Sequence, residues 1–397
     1  MNSATKENGL ITLYYGVLTL TIFIFTIFCV FAPADVLNLK KGFFAITVIL
    51  GGPLLVVNSV NYKNDRLLLF IAIGYPVIFI LASVLLFNNS LSNAITIGHC
   101  GIYFLLYFLI VDGKIHYQKT FIFALSLEAI FIFFCGVLHY AGIMPVSVNP
   151  LLQYLYQSGD AMVGFGSYAT SFGLMIFIKT SPLLIVLLGY TLQQKRYFLC
   201  VVCFLALLFS GTRANTFTGI ILIFIYVLAA KANTDKWKII KMFIIFGIII
   251  FVLFYGRQVI LALSDLRTRR AANDAVRGSY IQDILNLYKT NPLSIIVGTG
   301  FGSGLYSSTY SSDVNIIESA YIDLLRQVGL IGFIPFMSFI FYPIKSVFKE
   351  VPWIAISYIG YLVIAATNPL LYSSTAFILY VFIYSIRKNG YSFEVRI

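Results

Sequence analysis

The sequence predicts an all-α polytopic integral membrane protein, and three observations lead there. Hydrophobic residues make up 60% of the 397 and charged residues only 11%, against roughly a quarter charged in soluble domains. Apolar runs of about 17–22 residues recur along the whole chain, each long enough as a helix to cross a hydrocarbon core of roughly 30 Å. The lysines and arginines sit mainly in the gaps between those runs. The net charge of +12 therefore reads as a property of loops rather than as a nucleic-acid surface. A water-soluble fold could not hide so much apolar surface, so the membrane is the solvent.

About twelve spans are expected, near residues 10–31, 42–58, 67–87, 94–111, 120–141, 163–191, 197–210, 214–230, 239–256, 319–343, 351–366 and 371–386. The first run is too long for a signal-peptide core and no small-residue cleavage site follows it, so it is expected to be retained. The sixth contains Pro182 and is expected to be kinked, with Lys179 in its middle. The seventh is short. Cys29, Cys100, Cys135, Cys200 and Cys203 all fall inside apolar runs, where they behave as small hydrophobes. Cys200 and Cys203 form a C-x-x-C with no second ligand pair after it, and no disulfide framework is expected.

The gaps between spans alternate in charge. Lys63/Arg66, Lys114/Lys119, Lys195/Arg196, the lysines from Lys231 to Lys241, Lys345/Lys349 and Arg387/Lys388 fall in one set. The positive-inside rule makes that set cytoplasmic and puts both termini there. The opposite set holds 88–93 and 142–160, which have no Lys or Arg, and the turn at Asn368-Pro369. Lys40 and Lys41 break the rule on this external side, and composition offers no account of them beyond weak selection on a short loop.

The segment at 257–318 is predicted to be a large external loop between the ninth and tenth spans, carrying short helices, within a single membrane domain of 1–397. It is arginine-rich, and long exported loops escape the charge rule. Residues 259–290 read as two helical stretches, the second carrying Tyr280, Ile281, Ile284, Leu285 and Tyr288 before Asn291-Pro292 stops it. On a continuous helix Arg267, Arg270 and Arg277 share an arc of roughly 80°. Guanidiniums on one face suit a diphosphate, since each offers planar paired donors and keeps its charge. Pairing of these arginines with Asp265, Asp274 and Asp283, or with anionic headgroups, is the plainer alternative.

Gly298-Thr299-Gly300-Phe301-Gly302-Ser303-Gly304 follows. It lacks the third glycine of a dinucleotide fingerprint, so its glycines serve either a tight loop or close approach of the backbone to a ligand. Glu318 then stands at the edge of the tenth span. A carboxylate there is costly against lipid and is expected to face a cavity, a cationic partner or the aqueous edge. His99, His116 and His139 show no ligand spacing, and no metal site is expected.

These elements, in order, resemble a known family. Ser210-Gly211-Thr212-Arg213 is similar to the S-x-[ST]-R element of the O-antigen polymerase and ligase superfamily. Arg277-Gly278-Ser279-Tyr280, Asn291-Pro292-Leu293, the glycine run, and Glu318-Ser319 through Asp323, Arg326, Gly329 and Gly332 resemble the carboxy-terminal signature of Wzy-type O-antigen polymerases. Ligases of the superfamily tend to carry His-Asn where this chain has Glu318-Ser319, which favours a polymerase. The loop at 142–165 lacks the basic residues these families usually have there, and Lys179 is the substitute at hand.

The resemblance implies a metal-independent glycosyltransferase of the bacterial inner membrane. It would move a glycan from undecaprenyl diphosphate onto the terminal sugar of an incoming lipid-linked repeat unit at the periplasmic face, with no cofactor. Glu318 is the first candidate for the base or orienting carboxylate and Asp313 the second. Arg277 is expected to act at the departing diphosphate, with Arg213, Arg270, Arg267 and Lys179 as further diphosphate-binding cations. The partners implied are the undecaprenyl-diphosphate-linked oligosaccharide, membrane lipid and a chain-length regulator, with no nucleic acid. An O-antigen ligase using a lipid A core acceptor, a lipid-linked oligosaccharide flippase and a non-catalytic assembly partner stand as rivals. A transporter should show internal repeats and broken helices in both halves, and no such repeat is visible.

Overall fold

The computed structural model describes residues 3–35, 38–61, 65–165, 174–229, 278–309, 311–315 and 317–390. The chain opens with α1 (Ser3–Phe31) and α2 (Leu39–Asn61). Then come α3 (Leu67–Leu85), α4 (Leu91–Ile110) and α5 (Tyr117–Tyr140). After the short α6 (Pro150–Gln157), β1 (Ala161–Phe165) pairs with β2 (Leu174–Ile178). Three shorter apolar helices follow: α7 (Ser181–Gln193), α8 (Tyr197–Phe209) and α9 (Arg213–Ala229). The carboxy-terminal part has a helix over 278–290 (α10), α11 (Leu293–Val297) and a small hairpin of β3 (Leu305–Ser307) and β4 (Ser312–Val314). It ends with α12 (Ala320–Phe341), α13 (Ile344–Glu350), α14 (Pro352–Ala365) and α15 (Ser374–Asn389).

Six helical stretches among the described residues are long and apolar enough to cross a membrane: the apolar parts of α1 to α5, and Ala320–Glu350. Their outer faces carry large exposed apolar residues, such as Ile49, Val56, Leu67 and Leu85, a surface that water would not tolerate. By contrast α7 and the stretch of α15 from Ser374 to Ile386 are enclosed on all sides. Leu183 through Leu188 and Phe377 through Ile386 are buried throughout, the polar exception Ser385 included. A helix with no polar stripe belongs inside a bundle. The five cysteines are buried in the helices, as their apolar settings imply.

One expected span is corrected. Residues 163–191 are not a kinked membrane helix: β1 and β2 form an antiparallel hairpin, with Ala161 opposite Ile178 and Phe165 opposite Leu174, before α7 begins at Ser181. The apolar run Leu174–Ile178 is short and bounded by a turn at Lys179-Thr180, which suits a strand. Pro182 lies in the first turn of α7, where a missing N–H costs nothing, so it starts a helix rather than bending one. Lys179 is consequently exposed at the end of β2, not enclosed in mid-span. The expected ninth span, 239–256, lies outside the described residues. The other ten fall on helices.

The described loops meet at two ends of the bundle. At one end of the bundle Lys388 pairs with Asp65 at 3.1 Å, Asn389 donates to the Ile110 carbonyl, Gln118 to the Gly390 carbonyl and Lys114 to the Tyr15 hydroxyl. At the other end Ala34 is bonded to Asp160, Lys40 to Ser374, Tyr372 to the Gly98 carbonyl and Asn89 to the Thr299 carbonyl. The first group belongs to the loops predicted as cytoplasmic and the second to those predicted as external. The candidate site lies at the second end.

Candidate functional site

The site is built around a broken helix. α12 starts at Ala320 and is interrupted at Gly329, whose φ of 60° and ψ of −175° are not helical. A break of this kind leaves carbonyls of the preceding turn without helical donors. Two of them are met by the glycine run: Thr299 N–H donates to the Arg326 carbonyl and Gly300 N–H to the Gln327 carbonyl, each at 2.9 Å. The fit is backbone to backbone. A Cβ on Gly298 would lie 2.3 Å from the Gln327 carbonyl oxygen, and one on Gly329 would lie 2.3 Å from that of Ile296. The next two amides are used as well, Phe301 N–H donating to Ser83 Oγ and Gly302 N–H to Gln327 Oε1. Of the two uses the sequence left open for these glycines, the structure thus gives the tight structural one. Four successive amides are spent on the protein itself.

Beneath this clasp lies a fully buried ion pair. Arg326, 0% exposed, donates through Nε and Nη2 to Asp323 Oδ1 at 3.1 and 2.7 Å and through Nη1 to the carbonyl and hydroxyl of Ser303. The other Asp323 oxygen accepts from Gln327 Nε2 at 3.0 Å and Ile317 N–H at 3.4 Å. Ile317 is itself buried in a small second core with Tyr280, Ile284 and Leu305. Tyr280 and Ile284 come from α10 and lie on one face at helical spacing, and the helix ends at Asn291 as the sequence predicts. Asp283, a candidate arginine partner on sequence grounds, accepts from the backbone and hydroxyl of Ser308.

All of this fixes one residue. Glu318 sits between anchored Ile317 and Ser319, the N-cap of α12, and its side chain is exposed. A carboxylate just ahead of a helix N-terminus is favoured by the helix dipole.

Glu318 lines a cavity of about 580 Å³ whose walls come from several parts of the chain that meet at this end of the bundle. The β1–β2 hairpin supplies one wall by strand alternation. Leu174, Ile176 and Ile178 point into the core, while Met175, Phe177 and Lys179 line the cavity with Met162, the cross-strand partner of Phe177. The α1–α2 corner supplies Asp35, Lys40 and Lys41, and the turn before α15 supplies residues from Thr367 to Thr375. Corner and hairpin are tied together. Asp160, 1% exposed, accepts from Ala34 N–H and from Ser158, while its carbonyl accepts from Lys179 N–H. The Thr180 hydroxyl adds a contact to the Val30 carbonyl. Lys179 and the corner lysines are therefore held in fixed relation.

The predicted site residues separate into three groups. Glu318 and Lys179 come together in the cavity. Arg213 opens α9 and is half-buried one residue beyond Thr212, which lines the cavity where Arg213 does not. Arg267, Arg270 and Arg277 lie outside the described residues. Asp313, the second-choice carboxylate, is exposed on β4 and is not part of the cavity wall. Sequence reasoning missed Lys40 and Lys41 as site residues, although their breach of the charge rule was the signal. His99 also lines the cavity, with Nδ1 2.8 Å from the Ile95 carbonyl. Among the described residues there is no cluster of three His, Cys, Asp or Glu side chains that could hold a metal ion.

A multi-pass helical membrane protein with a carboxylate and several ammoniums in one end-facing cavity is the class that fold and site define. A family model described as O-antigen ligase matches residues 198–337, from α8 into α12, and supports membership of the chain in the O-antigen polymerase and ligase superfamily. The matched stretch contains the clasp, the buried Arg326–Asp323 pair and Glu318. No curated protein matches the chain.

Proposed function

We propose that this protein is an O-antigen polymerase, a metal-independent glycosyltransferase of the bacterial inner membrane. It transfers a glycan chain from undecaprenyl diphosphate to the terminal sugar of an incoming lipid-linked repeat unit on the external face. The observation that carries the reading is the sharing of one cavity by Glu318 and a set of cations, at the end of the bundle where the loops predicted to be external meet. Glycosyl transfer from a lipid diphosphate needs a carboxylate to receive the acceptor hydroxyl proton and positive charge to hold the departing diphosphate. In this reading Glu318 is the base and Asp323, Arg326 and the glycine clasp are its positioning residues. Arg213, Arg267, Arg270 and Arg277 are retained as diphosphate-binding candidates on the superfamily resemblance.

A ligase reading is favoured by the description of the matching family, and Glu318-Ser319 in place of His-Asn favours the polymerase. Lipopolysaccharide length separates them. Deleting the gene in its host should remove the polymer ladder and leave core capped by a single repeat. Core without any repeat would instead identify a ligase or a flippase. In the deletion strain, Glu318→Gln should fail to restore the ladder at normal protein level, and full restoration would overturn the assignment of Glu318.

A further inference from the structure

We propose that Lys40, Lys41 and Lys179 form the subsite that holds the leaving diphosphate, so that the cations nearest the reacting carbon come from the amino-terminal half of the chain. The inference rests on the polymerase reading of the same cavity and names the ligand of its cationic wall.

Three observations point to an anion. The first is burial without neutralisation. Lys40 is 3% exposed, and its ammonium donates only to neutral groups, the Pro33 carbonyl at 2.5 Å and Ser374 Oγ at 3.1 Å. The nearby carboxylate of Asp35 is used elsewhere, one oxygen accepting from Lys40 N–H and the other from Lys41 N–H. A buried ammonium is costly unless a negative partner arrives, and its third proton is available for one.

The second is accumulation. Lys41 is exposed and bonded to Asn38 Oδ1, and Lys179 is exposed at the end of β2. The ion pairs among the described residues, Arg326 with Asp323 and Lys388 with Asp65, take none of the three lysines. The third is position. Lysines at 40 and 41 contradict the charge rule for a short external loop, a cost that is offset when their charge has a ligand to meet.

The chemistry specifies which anion. In the transfer, the acceptor oxygen forms a bond to the anomeric carbon as the bond from that carbon to the diphosphate oxygen breaks. Glu318 takes the hydroxyl proton, and the diphosphate departs with the bonding electron pair. Base and leaving group therefore lie on opposite sides of one carbon, within a single cavity. The acceptor's own diphosphate is a whole repeat unit away. A volume of about 580 Å³ lies in the range of pockets that enclose a small ligand, roughly 300–1,000 Å³. Phe177, Met175 and Leu370 give that cavity an apolar flank for the first carbons of the lipid.

The test uses the full chain in phosphatidylcholine nanodiscs, titrated with undecaprenyl diphosphate, with phosphatidylglycerol and inorganic diphosphate as competitors. The exposed Lys41 and Lys179 are substituted, leaving buried Lys40 to support the fold. Lys41→Gln and Lys179→Gln should each weaken undecaprenyl diphosphate binding about tenfold, the loss expected for a charge-assisted hydrogen bond, with inorganic diphosphate competing. Wild-type affinity in both variants, or absence of binding by the wild type, would overturn the subsite. Displacement by phosphatidylglycerol at equal concentration would do so too, by making it a general headgroup site. The underlying reading fails separately, if Glu318→Gln restores a full polysaccharide ladder in cells while the lysine variants still lose affinity.

Discussion

The glycine clasp and the lysine corner lie at the same end of the bundle, the corner lining the cavity and the clasp standing behind Glu318, and they obey opposite rules. In the clasp every polar group has a protein partner. The amides from Thr299 to Gly302 are all bonded, and buried Arg326 is met by one carboxylate and both oxygens of Ser303. In the corner, Lys40 is buried among neutral oxygens, with Asp35 committed to backbone amides. A satisfied network specifies a shape, whereas charge left over specifies a ligand. The lesson is that the conspicuous motif holds the scaffold, while the cavity wall is completed by residues with no motif at all.

The largest effect should come from breaking the clasp at its centre. Arg326→Ala leaves Asp323 buried without its cation, a loss of about 3–5 kcal/mol. Unfolding in detergent, followed by circular dichroism against denaturant, should show a strongly destabilised or unrecoverable protein. Wild-type stability would mean that the network is dispensable. Gly329→Ala comes next. Its φ of 60° with ψ of −175° is a region essentially reserved for glycine, costing other residues about 1–3 kcal/mol, and its Cβ would meet the backbone of Ile296 and Gly298. Neither neighbour is a side-chain end that can swing aside. Ser83→Ala should cost about 1–3 kcal/mol by leaving buried Phe301 N–H without its acceptor.

Much of this arrangement was legible in the chain, for reasons that differ from part to part. Long apolar runs gave the membrane helices because length and hydropathy alone set a span. The same logic failed at 163–191, where strand, turn and buried helix are apolar in succession and look like one run. Distance from lipid, not composition, separates them. The glycines of 298–302 were readable as a close approach of backbone. Their partner, the turn before Gly329, lies more than two dozen residues later, and nothing local could choose it over a ligand. Glu318 was readable because a carboxylate at a span edge needs a reason. Lys179 was readable as a cation but not as a cavity wall, since strand alternation places it there. Lys40 and Lys41 announced themselves only by breaking the charge rule of the expected topology, and the contact from Lys40 to Ser374 spans most of the chain.

The smallest expected effect on stability sharpens the contrast most. Lys41 is exposed and its ammonium bonds only to Asn38 three residues away, so Lys41→Gln should change unfolding by no more than about 0.5 kcal/mol. If the corner is a ligand surface, the same variant should shorten the polysaccharide ladder in cells at unchanged protein level. Ser83→Ala should show the reverse, a measurable loss of stability with chain length recovering wherever enough folded protein remains. Ladder length and unfolding midpoint, measured on this pair, therefore separate scaffold from site. A Lys41→Gln protein that unfolded early, or a ladder indifferent to it, would erase the distinction between the two regions.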